Sequence, residues 1–274
     1  MIHKLEMTVL IDNVAEEPLE SEWGLSILIS ADGRNLLLDT GASGLYAQNA
    51  ERLGIDIGSV DIGVLSHAHY DHADGMDTFF SLNTSAPFLV REGACENCYG
   101  IKEGRLRYIG IQNGVLEKYK ERIRYVSGVR MIDDGIWLVP HRRADYSSIA
   151  LRNDLYTVSD GERHPDDFAH EQSLVIETRQ GLVVFNSCSH VGMTNILEDI
   201  REKLGRSDVC GYVGGLHLYK MTDEELTVLC EEIRRIPIKH IFTGHCTGDH
   251  AFDFLKERLG KRIEQFSAGF KYSF

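Results

Sequence analysis

A chain of 274 residues, 43% apolar and 26% charged, is too apolar to stay disordered and long enough for one large α/β or sandwich domain, the organisation expected over 1–274. A formal net charge of −13, with no run of Lys and Arg to follow a phosphate backbone, argues against nucleic acid as a partner and for a small-molecule substrate. No apolar stretch approaches bilayer length and six scattered cysteines lack the density of a disulfide scaffold, so no membrane partner, reduced thiols and a cytoplasmic location are expected, with nothing read about oligomeric state.

In chain order, Thr8 to Ile11, Leu25 to Ile29 and Leu36 to Leu38 are short apolar runs that predict strands, the last closed by the turn residues Asp39-Thr40-Gly41. Helical spacing at Leu45, Ala50 and Leu53 predicts a helix over Gly44 to Leu53, with Ser43 as its N-cap. Ile62 to Leu65 reads as a buried strand running straight into Ser66-His67-Ala68-His69-Tyr70-Asp71-His72, with a helix expected from near Ala73. A polar cluster at a strand end is where chemistry concentrates. From about Glu92 to Tyr146 the pattern weakens into Gly-containing, charged sequence, which predicts an insertion around 92–146 bearing substrate-facing elements. Cys95-x-x-Cys98 within it has no partner pair and reads as two ordinary loop cysteines. Ser173 to Thr178 and Leu182 to Phe185 predict a hairpin around Arg179-Gln180-Gly181. A helix over Thr194 to Leu204, a strand over Gly211 to Gly214, a helix over Asp223 to Arg235, a strand over His240 to Thr243 and a helix over Asp249 to Leu259 complete the chain.

The cluster His67-x-His69-x-Asp71-His72 is the most informative feature. Residues two apart on an extended segment point the same way, so His67 and His69 can approach one ion together. Asp71 follows on that side if the extension persists, and His72 swings in as the chain turns into the helix, which allows a second ion. The bland alternative, surface histidines making one hydrogen bond each, fits poorly with so many ligand types between a buried strand and Gly75.

On these residues the chain resembles the metallo-β-lactamase superfamily, and the resemblance extends over nearly its whole length. It implies an α/β fold, a four-layer αβ/βα sandwich with two mixed β-sheets. Leu36-Leu37-Leu38-Asp39-Thr40-Gly41 is similar to the family's first strand motif, whose Asp orients the metal loop from behind. Later ligands are expected at His190, between a strand and a helix, and at His245, whose Gly-His setting is similar to the family's final ligand. His217 in Gly214-Gly215-Leu216-His217 is expected to act on substrate or in proton transfer. Two departures stand out: His170 falls where many relatives carry the third ligand of the first metal, and Cys188 falls near their bridging Asp. Either His190 or His170 then completes the first site, and no carboxylate is clearly placed to bridge.

Cys188-Ser189-His190-Val191-Gly192, Gly214-Gly215-Leu216-His217 and Gly244-His245-Cys246-Thr247-Gly248 resemble the subfamily associated with dihydropterin ribofuranosylaminobenzene phosphate synthase, which implies a metal-dependent hydrolase or a group-transfer enzyme of that kind. The expected cofactors are two divalent ions, zinc first, with manganese and iron also tolerated by these ligands. Asp71 then binds metal and orients a shared water, while His217 serves the leaving group. Gly192 and Gly248, each before a helix, are candidates for a phosphate site at a helix N-terminus, with ordinary turn glycines an equally good reading. Competing readings are a non-haem iron redox protein and a non-catalytic metal-binding protein, the latter requiring a closed site with no pocket beside it.

Overall fold

A computed structural model describes residues 1–141 and 145–274. Residues 142–144 of the segment 92–146 lie outside the described residues.

Two seven-stranded sheets form the body. The first runs in spatial order Lys271–Ser273, Leu5–Ile11, Ser26–Ala31, Arg34–Leu38, Ile62–Val64, Phe88–Arg91 and Ile123–Val126. The second runs Ile263–Gln265, His240–Thr243, Val209–Val213, Gly181–Phe185, Gln172–Thr178, Ile136–Pro140 and Arg130–Asp133. Each is mixed, joining antiparallel pairs on one side to parallel pairs on the other. Parallel strands buried on both faces need apolar side chains in both directions. Accordingly, Gly181–Phe185 and Val209–Val213 are buried at every position.

The layering follows from where those faces go. Ile27, Leu36 and Leu38 of one sheet meet Leu174, Val183, Phe185 and Phe242 of the other in an inter-sheet core. Behind the second sheet, Val184, Tyr212 and Ile241 pack on Ile196, Leu226, Ile233 and Leu255 of the helices Met193–Leu204, Asp223–Arg235 and Asp249–Leu259. Behind the first, Leu37 and Phe88 pack on Tyr46, Ala50, Met76 and Phe79 from Leu45–Arg52 and Met76–Leu82. Helix, sheet, sheet, helix is the expected four-layer arrangement. No helix among the described residues is long and apolar enough to cross a membrane.

Three local readings change. Ser43 does not cap the first helix, whose N-cap is Gly44: Glu22 Oε2 takes the Ser43 hydroxyl hydrogen at 2.6 Å, although Ser43 Oγ still accepts from the Leu45 N–H at 3.2 Å. The helix after the histidine cluster starts at Tyr70, not near Ala73, and breaks before Met76–Leu82. Asp71 therefore leaves the extended alternation and enters from a helical turn. Within 92–146, Tyr99–Lys102 and Arg105–Tyr108 join Leu155–Ser159 and Glu162–Pro165 in a small third sheet, whereas Ile123–Val126, Arg130–Asp133 and Ile136–Pro140 belong to the main sheets.

Candidate metal centre

Parallel strands bring their C-terminal ends to one rim. Arg34–Leu38 and Ile62–Val64 deliver Asp39 and the His67 loop, while Gly181–Phe185, Val209–Val213 and His240–Thr243 deliver His190, His217 and His245. Asp39, Ser189, His217 and His245 all adopt positive φ, between 50° and 61°. Left-handed backbone on non-glycine residues is uncommon and costs energy; turns such as that at Asp32 also adopt it, but four such positions lie at this rim.

Asp39 is the anchor. Its Oδ1 accepts the Ser66 N–H at 2.7 Å, and its Oδ2 accepts the Ser66 hydroxyl at 2.6 Å and His72 Nδ1 at 2.8 Å. With its hydroxyl hydrogen given to Asp39, Ser66 Oγ is an acceptor for His67 Nδ1 at 2.8 Å. Asn13 Oδ1 does the same for His245 Nδ1 at 3.0 Å, and Asn13 Nδ2 donates to the His245 carbonyl at 3.0 Å. Each bond puts a ring proton on Nδ1, which leaves Nε2 of His67 and His72 as a lone pair and turns Nε2 of His245 toward them.

Those nitrogens converge. His72 Nε2 lies 3.2 Å from His245 Nε2 and 3.2 Å from Cys188 Sγ. Asp71 Oδ2 stands 3.4 Å from His245 Nε2 and 3.7 Å from His72 Nε2. Two imidazole nitrogens facing each other beside a carboxylate need a cation among them, a proton or a metal ion. In the adjacent group, the ligand atoms of His67, His69 and His190 lie within 4.8 Å of one another. Nε2 of all three is buried without a hydrogen-bond partner, which fits metal ligation better than any protein contact.

The charges of the two groups differ. Burial first, and then the neighbouring imidazoles, hold His67, His69 and His190 well below the usual histidine range, so these rings are neutral. Burial opposes protonation of His245 too, but the Asp71 carboxylate and the Cys246 sulfur outweigh it and carry that ring up to about 9. In the metal-free chain His245 Nε2 therefore carries a proton toward Asp71, at the place a metal ion would take.

All six histidine and aspartate residues singled out as ligands, His67, His69, Asp71, His72, His190 and His245, meet in these two groups. His217 lies close, with its ring 4.5 Å from His190 and its ligand atom grouped with those of Cys188 and His190. Cys188, noted in the sequence only as a departure, is more central than expected: it belongs to groups with His67 and His72, with His190 and His217, and with His245 and Cys246. Cys98 is not an ordinary loop cysteine, because it is buried, with its sulfur within 4.8 Å of ligand atoms of His69, Asp166 and His170, whereas Cys95 is exposed. Sequence reasoning missed His141, whose side chain is 3% exposed and lies 3.1 Å from Asn186 Nδ2 and 3.8 Å from Glu171 Oε2. An isolated His after a strand offers no local signal. We expect Asp39→Ala to weaken metal affinity about 10–100-fold, because two ligand rings lose their orientation; titration with a competing chelator measures it.

A cleft of about 320 Å³ opens onto this rim. His190 and His217 stand in its wall beside Leu216, Leu218, Met221 and Leu229. The helix Met193–Leu204 begins in the same wall, with Gly192 as an N-cap that provides no side-chain bond.

Comparison with known proteins agrees with this geometry. The family model described as the metallo-β-lactamase superfamily matches residues 24–185. The chain is 27% identical over 271 residues to a Methanocaldococcus jannaschii protein named 7,8-dihydropterin-6-methyl-4-(beta-D-ribofuranosyl)-aminobenzene-5'-phosphate synthase, covering 92% of this chain and 90% of that one. A solved structure described as a metal-dependent hydrolase of the β-lactamase superfamily superposes with a TM-score of 0.81 at 30% identity, covering 98% of both chains. A diphosphatase of the PhnP family shares the fold at a TM-score of 0.58 and 14% identity, again over 98% of both chains.

Proposed function

The chain belongs to the metallo-β-lactamase superfamily, and from that premise we propose that it is a metal-dependent enzyme that hydrolyses, or transfers a group on, a small phosphorylated substrate. The observation that carries the reading is the pair of facing nitrogens, His72 Nε2 and His245 Nε2, 3.2 Å apart beside Asp71. In this reading His67, His69 and His190 hold one divalent ion, Asp71, His72 and His245 hold a second, and Cys188 stands between the two groups. Bound there, zinc ions supply Lewis acidity and lower the pKa of water toward about 7.

The remaining work falls to the chain. Asp71, fixed between His72 and His245, orients the attacking group. His217, at the edge of the ligand groups and in the cleft wall, donates a proton to the departing oxygen or holds a phosphate oxygen. Backbone N–H groups at the start of Met193–Leu204 face the cleft and suit a phosphate. The apolar wall of Leu216, Leu218, Met221 and Leu229 excludes water around the body of the substrate. The open cleft argues against a closed, purely structural metal site.

Of these two reactions, transfer is favoured by similarity over 92% of the chain to a Methanocaldococcus protein named as a synthase. One experiment separates the two. Metal analysis of the parent and His69→Ala proteins is followed by assays with phosphodiesters, phosphomonoesters, lactones and an aryl ribofuranosyl 5′-phosphate. About two metals per chain with turnover of an ester supports hydrolysis; metal with turnover only of the ribofuranosyl compound supports transfer. Absence of metal from the parent protein rejects both. With an active substrate in hand, His217→Ala is expected to lower kcat about 100-fold, at the modest end of general acid catalysis, and an unchanged rate rejects its role.

A further inference from the structure

Resting on the metal-centre reading above, we infer that His170 and Glu171 are positioning residues that hold the two halves of the His67–His69–His190 group in place, and that His170 is not itself a ligand. They are adjacent in sequence, immediately before the strand Gln172–Thr178, and their side chains reach opposite parts of the site.

His170 serves the His67 loop. Ala68, the residue between His67 and His69, donates its backbone N–H to His170 Nδ1 at 3.1 Å. A peptide N–H is always the donor, so Nδ1 must present a lone pair and the ring proton must sit on Nε2. Nε2 in turn faces Asp166 Oδ2 at 3.2 Å. Asp166 is fixed by accepting the Phe168 N–H on its other oxygen at 2.7 Å. Both ring nitrogens are therefore committed, and no lone pair remains for an ion. This also removes the rival arrangement in which Cys98, Asp166 and His170 hold a metal of their own.

Glu171 serves the other half. Its Oε1 accepts the His190 backbone N–H at 3.1 Å and lies 3.4 Å from His190 Nδ1. Neither ring nitrogen of His190 makes a hydrogen bond within the protein, but the carboxylate on the Nδ1 side favours the ring proton there electrostatically and so leaves Nε2 for ligation. Glu171 is almost fully buried, at 1% exposure. Its second oxygen stands 3.8 Å from His141 Nε2 without a hydrogen bond, so the hold on the carboxylate comes from the His190 N–H. One dipeptide at the head of one strand thus fixes ligands that approach from both sheets. The choice between His170 and His190 left open by the sequence falls to His190.

The test uses the full chain. Nitrogen-15 spectra of the metal-free protein should show His170 as the Nε2–H tautomer with Nδ1 accepting; an Nδ1–H or doubly protonated ring overturns the inference. Because no metal is involved, that result is independent of whether the parent binds metal, so failure of the metal-centre reading is told apart from failure of this one. In the cobalt-loaded protein, His170→Ala should keep the parent's metal stoichiometry at saturation and its cobalt absorption bands, with affinity lower by about 10–100-fold. His170→Gln, whose amide oxygen can accept the Ala68 N–H, should recover part of that loss. Disappearance of one metal equivalent, or shifted cobalt bands, in His170→Ala makes His170 a ligand and overturns the inference. Glu171→Gln, nearly identical in shape, should lower affinity about 10-fold through the weakened His190 partner; unchanged affinity overturns the role of Glu171.

Discussion

His72→Ala is expected to remove one metal equivalent and to lower kcat by about 1,000-fold or more, at 1.36 kcal/mol per tenfold in rate. His72 is the most connected ring of the centre. Its Nδ1 is tied to Asp39, and its Nε2 meets His245, Cys188 and Asp71 at 3.2 to 3.7 Å. Alanine removes a ligand and also frees one of the contacts that hold Asp39 in position. Ser66 still anchors Asp39 through two bonds, so the His67–His69–His190 group should keep its ion. Metal analysis beside a steady-state assay reads both effects. A variant that retains both equivalents and near-parent turnover would show that His72 does not bind metal.

Stripping the metal with a chelator is expected to abolish turnover and lower Tm by about 10 °C, both restored when zinc is added back. A ligand present at about 1,000 times its Kd stabilises the folded state by about 4 kcal/mol, and a chain of this size shifts by a few degrees per kcal/mol. The reason is local. Metal-free, the rim retains buried nitrogens of His67, His69 and His190 without partners, and the opposed Nε2 atoms of His72 and His245. Scanning calorimetry of metal-loaded and stripped protein measures the difference, and equal Tm values in the two would sink the metal reading.

What was legible in the sequence depended on range. The helix Asp223–Arg235 announces itself through Thr222 and Glu225, which form a complete capping box, and the strand His240–Thr243 through its apolar run. The His67 loop was legible because its ligands are neighbours in sequence. The strands Ile123–Val126 and Arg130–Asp133 were missed because they are the outer strands of their sheets. Exposed residues such as Arg124 and Arg130 there erase the apolar signature, as is common on sheet edges. Cys188 could be flagged as a departure but not centred, and Glu171 could not be paired with His190, because those contacts exist only once separate strand ends meet.

The same separation sets the order in which the centre can form. His72 and His245 face each other across 173 residues of sequence, and their partners arrive from both sheets. A partly folded chain carries the His67 loop alone, a weak and open chelate, because closing so long a loop precedes any gain from its far end. If the centre holds two ions as proposed, tight capture of the second must wait for the sandwich to close. On that proposal, metal retention would act as a seal on completed folding, since a chain whose second sheet is misdocked lacks His245 and His190 beside the His67 loop.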